Sequence, residues 1–164
     1  MLEQDIKQLI GNFGEMEKLL KEYIGITTVI MHTESENAEM IAGKIAEREG
    51  IIGKIDFIKK QCSALIDSAE EGEAKQIREL LTGVNTNQHI TDNFIPLRSA
   101  IVGLRSAHLQ AVEKDEALKK QFNSRSEEAK SELMKLNDEK KKLDYYSSVN
   151  TAPSSLGGSL DSSF

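Results

Sequence analysis

The chain contains no tryptophan, and aromatic residues make up only 5% of its 164 positions. Sheets draw on β-branched and aromatic side chains and on frequent turn residues, and two prolines supply little of that punctuation. One cysteine, Cys62, excludes an internal disulfide and any multi-cysteine metal site. No stretch approaches the roughly 18 consecutive apolar residues of a membrane-spanning helix. Positive charge is also short: Lys plus Arg total 21 against 27 Asp plus Glu, a formal net charge of −6. Nucleic acid needs a basic surface, so it is not an expected partner. The opening Met1-Leu2-Glu3-Gln4-Asp5 has neither a basic leader nor a following apolar stretch. The expectation is therefore a cytoplasmic protein without membrane insertion. A helical fold is what remains, on a scale that suits one domain better than two.

What is present is hydrophobic spacing. Leu2, Ile6, Leu9, Phe13, Met16, Leu20, Tyr23, Thr27 and Ile30 step by four and three residues in turn. Ile10, Leu19, Ile24, Ile26 and Met31 widen the stripe, as suits the inner face of a bundle. Gly11, Gly14 and Gly25 interrupt it, each costing about 1 kcal/mol relative to Ala, and close helix approach at those sites is the expected compensation. Thr33 and Glu36 have the spacing of a capping box, which would open a second helix. Its apolar positions include Ile41, Ile45, Ile51, Ile55, Ile58, Cys62, Leu65 and Ile66. Helices over about 3–32 and 36–68, of matched length and joined by a short turn, predict an antiparallel hairpin.

Ser68 and Glu71 repeat the capping-box spacing, and a 3–4 pattern resumes at Ile77. It passes through Leu80, Val84, Phe94, Ile101, Val112, Phe122, Ala129, Leu133, Leu136 and Leu143. Several in-frame positions are polar, Arg98, Arg105, Asp115, Lys119, Ser126 and Lys140 among them, so 105–130 should be less buried. A single straight helix over 73–146 would outrun the hairpin about twofold, so the region must be kinked or divided. Pro96 marks the place: the reading favours a kink there over a new helix capped by Asp92 or Asn93, and leaves open a division between about 105 and 116. The fold class is thus an all-α antiparallel bundle of three to four long helices over residues 1–146. Residues 147–164, rich in serine with Gly157-Gly158 and Pro153, read as a disordered tail. Within that tail Leu156, Leu160 and Phe164 stand at i, i+4 and i+8 and could form one face of a short helix on a partner.

Chemistry is sparse. His32, His89 and His108 are scattered, with no pair at i, i+4 and no Glu three residues before any of them, so a metal cofactor is not expected. Cys62 falls on the apolar stripe and reads as a buried structural thiol rather than a nucleophile. No cofactor and no enzymatic activity are expected. Binding features remain: Lys140-Lys141-Lys142, placed at the end of the last helix, where cations suit the dipole; Tyr145-Tyr146, amphipathic aromatics suited to interfaces; and the amides of Asn85-Thr86-Asn87-Gln88.

The long N-terminal amphipathic helix, the polar turn at Thr33–Asn37 and the run Ile45-Ala46-Glu47-Arg48-Glu49-Gly50-Ile51-Ile52 together resemble the FlgN-type flagellar export chaperones. The Asn85-Thr86-Asn87 stretch fits as well, as does the passage from Lys140–Tyr146 into a Ser/Gly tail closing on Asp161-Ser162-Ser163-Phe164. The FliT-type chaperones are similar too. The resemblance implies a small, acidic, non-enzymatic helical protein that holds hook-associated or filament-cap subunits by their amphipathic terminal helices and delivers them to the export gate. It also implies client or gate contacts at Leu133, Leu136, Leu143, Tyr145 and Tyr146, and at Leu156, Leu160 and Phe164 of the tail. Glycines inside the first helix and Pro96 depart from the smooth family pattern. The competing expectation is a structural coiled-coil or adaptor module that forms a homodimer through 100–146. A ferritin-like enzyme would need carboxylate–histidine pairs that the chain lacks.

Overall fold

A computed structural model describes residues 3–34, 36–83 and 94–150, with side chains through residue 147. Helices α1 (Glu3–His32), α2 (Ala38–Asp67), α3 (Glu71–Thr82) and α4 (Ile95–Asn150) make the chain all-α, with no strand among the described residues. The chain divides into two units, Met1–Gln121 and Phe122–Phe164.

In the first unit, α1 buries Leu9, Phe13, Met16, Leu20, Tyr23, Thr27 and Ile30, the stripe that its 3–4 spacing demands. Thr27 is polar and fully buried, but its hydroxyl donates to the Tyr23 carbonyl at 2.8 Å, so no donor is stranded. Helices α1 and α2 are antiparallel: Tyr23 meets Arg48, while Leu19, earlier on α1, lies near Lys54 and Phe57, later on α2. Helix α4 runs parallel to α1, since Glu17 lies against Gly103, Tyr23 bonds to Asp115 and Gln121 bonds to Met31. The core between them is Ile51, Ile55, Cys62 and Ile66 of α2, Ala74, Ile77 and Leu80 of α3, and Leu97, Ile101, Ala107 and Ala111 of α4. Each large aliphatic buried there stabilises the fold by roughly 1.5–3 kcal/mol.

Several expectations need correcting. The third helical region is divided, not kinked: α3 stops at Thr82 and α4 opens at Ile95, which puts Pro96 in a first turn. Proline fits there because its missing N–H would have no intrahelical partner. The stop is Gly83, held at φ +74° with its N–H donating to the Glu79 carbonyl at 2.9 Å. A side chain is strained at that φ, so glycine ends the helix where the 3–4 pattern seemed to continue into Val84. Helix α4 has no break between 105 and 116. It continues through Asn150, beyond Tyr146, so Lys140–Lys142 do not stand in its last turn. Asp92, Asn93 and Asn85–Gln88 lie outside the described residues.

Neither capping box forms. The Thr33 hydroxyl donates back to the Val29 carbonyl at 2.8 Å and the Ser68 hydroxyl to Leu65 at 2.8 Å. The N-caps are Asn37 and Glu70, without side-chain cap bonds. The last carbonyls of the preceding helix lack intrahelical donors and lie within reach of both hydroxyls. Gly11, Gly14 and Gly25 face open space, with nothing within 4 Å of where a Cβ would stand, so they mark no close helix approach. Val112 and Phe122, expected in the core, are exposed, and Ala107, Ala111 and Leu118 are buried on α4 instead.

Candidate functional site

Helices α1 and α2 pack closely along their length, whereas no comparably extended backbone approach joins α4 to either. Between α2 and α4, over a floor of Phe13, Met16 and Leu20, lies a groove of about 710 Å³. Ile52, Ile55 and Ile66 form its α2 wall and Leu104, Leu109 and Val112 its α4 wall. From Ile52 to Ile66 the wall is roughly 21 Å long at 1.5 Å per residue, the length of an amphipathic helix of nearly four turns. Its walls carry little polarity beyond Asp56, Lys59, Ser63, Arg105 and His108. Cys62 also lines it, a buried thiol. Burial pushes that thiol above its ordinary pKa, with the neighbouring Asn12 side chain opposing, so it is a poor nucleophile.

One end of the groove is closed by a polar cluster drawn from three helices. Tyr23 donates its hydroxyl proton to Asp115 Oδ2 at 2.6 Å, and Arg48 Nη2 bonds both Asp115 Oδ1, at 2.6 Å, and the Tyr23 oxygen. The Arg48 guanidinium also lies 4.4 Å from the Tyr23 ring centroid, a cation–π contact. Burial and the bond to Asp115 raise the Tyr23 pKa above its ordinary value, while Arg48 opposes the rise. Gln121 donates to the Met31 carbonyl at 2.8 Å, satisfying an acceptor in the last turn of α1. Together these bonds tie the α4 segment 115–121 to the hairpin, beside the buried Leu118.

The cluster was not anticipated, although its signal was present: Asp115 is a carboxylate at an in-frame core position, and such a group needs a partner on the facing helix.

In the second unit, those of the expected partner-binding residues that fall among the described residues are on the surface of α4. Leu133, Leu136 and Leu143 are 66%, 62% and 69% exposed, and Met134 joins them. Tyr145 and Tyr146 are also exposed, with rings edge to face at 6.0 Å between centroids. Leu156, Leu160 and Phe164 lie outside the described residues. The spacing of Leu133, Leu136 and Leu143 puts them on one stripe of the helix. Among the described residues no group of three or more His, Cys, Asp and Glu is placed to hold a metal ion, and no helix is long and apolar enough to cross a membrane.

Comparison with protein-family models, with characterised proteins and with solved structures gives no match.

Proposed function

We propose that the chain is a non-enzymatic chaperone of flagellar type III export. In this reading it binds the amphipathic terminal helices of hook-associated or filament-cap subunits in the cytoplasm and passes them to the export gate. The observation that carries the reading is the exposed apolar stripe of α4. A run of leucines left in water on a well-formed helix is stable in a complex and a liability alone. Leu133, Leu136, Leu143, Tyr145 and Tyr146 are the proposed client contacts, with Leu156, Leu160 and Phe164 of the tail beside them. The α2–α4 groove supports the same reading, since its length and aliphatic walls suit a helix laid in by its apolar face.

The test is co-expression of the full chain with terminal helical segments of hook-associated and filament-cap proteins, followed by size exclusion with light scattering. The reading expects a discrete soluble complex with one client, abolished by Leu133→Glu with Leu143→Glu while the free protein keeps its helicity. Absence of a complex with every segment would overturn it.

A further inference from the structure

The side chains of the α4 stripe bear on how a second copy of the same helix would fit it. Its in-frame positions from Phe122 to Leu143 read, in order, large, small, small, large, large, long and basic, large: Phe122, Ser126, Ala129, Leu133, Leu136, Lys140, Leu143. All of them are exposed on α4. Pairing two copies in parallel and in register is opposed by charge. Lys140 would face the partner's Lys140 in the seam, and the flanking positions would set Arg125 by the partner's Lys130 and Glu139 by the partner's Asp144.

Reversing one copy about a point between residues 134 and 135 changes each of these. Leu133 then faces the partner's Leu136, Leu143 faces the partner's Ser126, and Lys140 faces the partner's Ala129. Leu133 and Leu136 form a central apolar layer, and on either side of it Leu143 and Lys140 meet the small Ser126 and Ala129, so the outer layers interdigitate. Arg125 comes alongside the partner's Tyr146, an arrangement suited to cation–π stacking. Glu132 comes to flank the partner's Glu139, which is unfavourable. Lys140, whose stem crosses Ala129, can bring its ammonium to the partner's Glu132 and offset that repulsion.

We propose that residues 122–147 of α4 bind a second copy of this chain as an antiparallel helix pair. The pair buries Leu133, Leu136 and Leu143. If these are also the client contacts, as the chaperone reading holds, then client and second copy exclude one another and self-pairing regulates that site. The seam is roughly 39 Å long, which places the association among weak, reversible interfaces.

The experiment is light scattering of the full chain across roughly 1–200 µM, with Leu136→Glu as the control. A mass that doubles within this range and stays monomeric in Leu136→Glu is expected; a monomer throughout overturns the proposal. Orientation is read by oxidising Ala129→Cys and Lys140→Cys, separately and mixed, since native Cys62 is buried. The antiparallel pair gives a disulfide between the two variants, whereas a parallel pair would give it within each variant alone and refute the geometry. A monomer that still binds client segments sinks self-pairing and leaves the chaperone reading standing. A chain that dimerises at high concentration but binds no client segment at concentrations where it is monomeric does the reverse.

Discussion

Replacing Asp115 by Ala tests whether the polar cluster holds α4 to the hairpin. The change removes the acceptor of the Tyr23 hydroxyl and the counter-ion of Arg48 in one step. The Arg48 side chain is 16% exposed and that of Asp115 is 42% exposed. Arg48 Nε is already buried without a hydrogen-bond partner. A surface pair would contribute about 0.2–1 kcal/mol, and breaking a fully buried one would cost about 3–5 kcal/mol. With one side mostly buried and the other near half-exposed, the loss should fall between, at about 2–3 kcal/mol. Asp115→Asn keeps the shape and one acceptor, and should lose about half as much. Urea denaturation gives the free energies, and a cycle combining Asp115→Ala with Tyr23→Phe should show coupling of about 1 kcal/mol, since the two share a hydrogen bond. A loss below about 0.5 kcal/mol, that of an ordinary surface change, would refute the view that this cluster secures α4.

Substituting Gly11, Gly14 and Gly25 by Ala should each stabilise the protein by about 0.4–1 kcal/mol, additively, because open space receives each methyl group. Thermal unfolding checks this, and destabilisation at any of them would show a packing role that the structure lacks. Ile77→Ala should cost about 2–5 kcal/mol, its side chain being fully buried in the core, as measured by urea midpoint at constant slope. The raised pKa of Tyr23 means its protonated form supports the fold. That support is complete below the ordinary tyrosine value and is lost as pH climbs through the raised one. Wild type should therefore lose stability in alkaline solution more steeply than Tyr23→Phe, and parallel profiles would contradict this.

Much of the fold could be read directly from residue spacing, because α1 is a regular two-step pattern whose every in-frame side chain from Leu9 to Ile30 is buried. The helix ends of the hairpin came within two residues of expectation for the same reason. Caps were misread because a Ser or Thr between two helices can serve either end, and both Thr33 and Ser68 bond backward. The break after α3 was obscured because periodicity persisted through it, although Gly83 satisfies the local rule for a helix stop. On α4, Val112 and Phe122 stood in the 3–4 frame, but the buried face turns to Ala107, Ala111 and Leu118, and the two alanines carry little hydropathy signal. The polar in-frame residues pointed to a less buried stretch over 105–130, but Ala107, Ala111 and Leu118 within it are buried, and Leu133, Leu136 and Leu143 beyond it are exposed. The groove was not foreseen, because its α2 and α4 walls, distant in sequence, are brought together only where both helices pack on the α1 floor.

The central claim is that the stripe around Leu133, Leu136 and Leu143 is where a client helix sits. Hydrogen exchange of the full chain, alone and with a client terminal segment at saturating concentration, tests it most directly. The account predicts that amides in 129–147 exchange about tenfold more slowly in the complex. A complex that leaves 129–147 exchanging as in the free protein would place the client elsewhere and contradict the account.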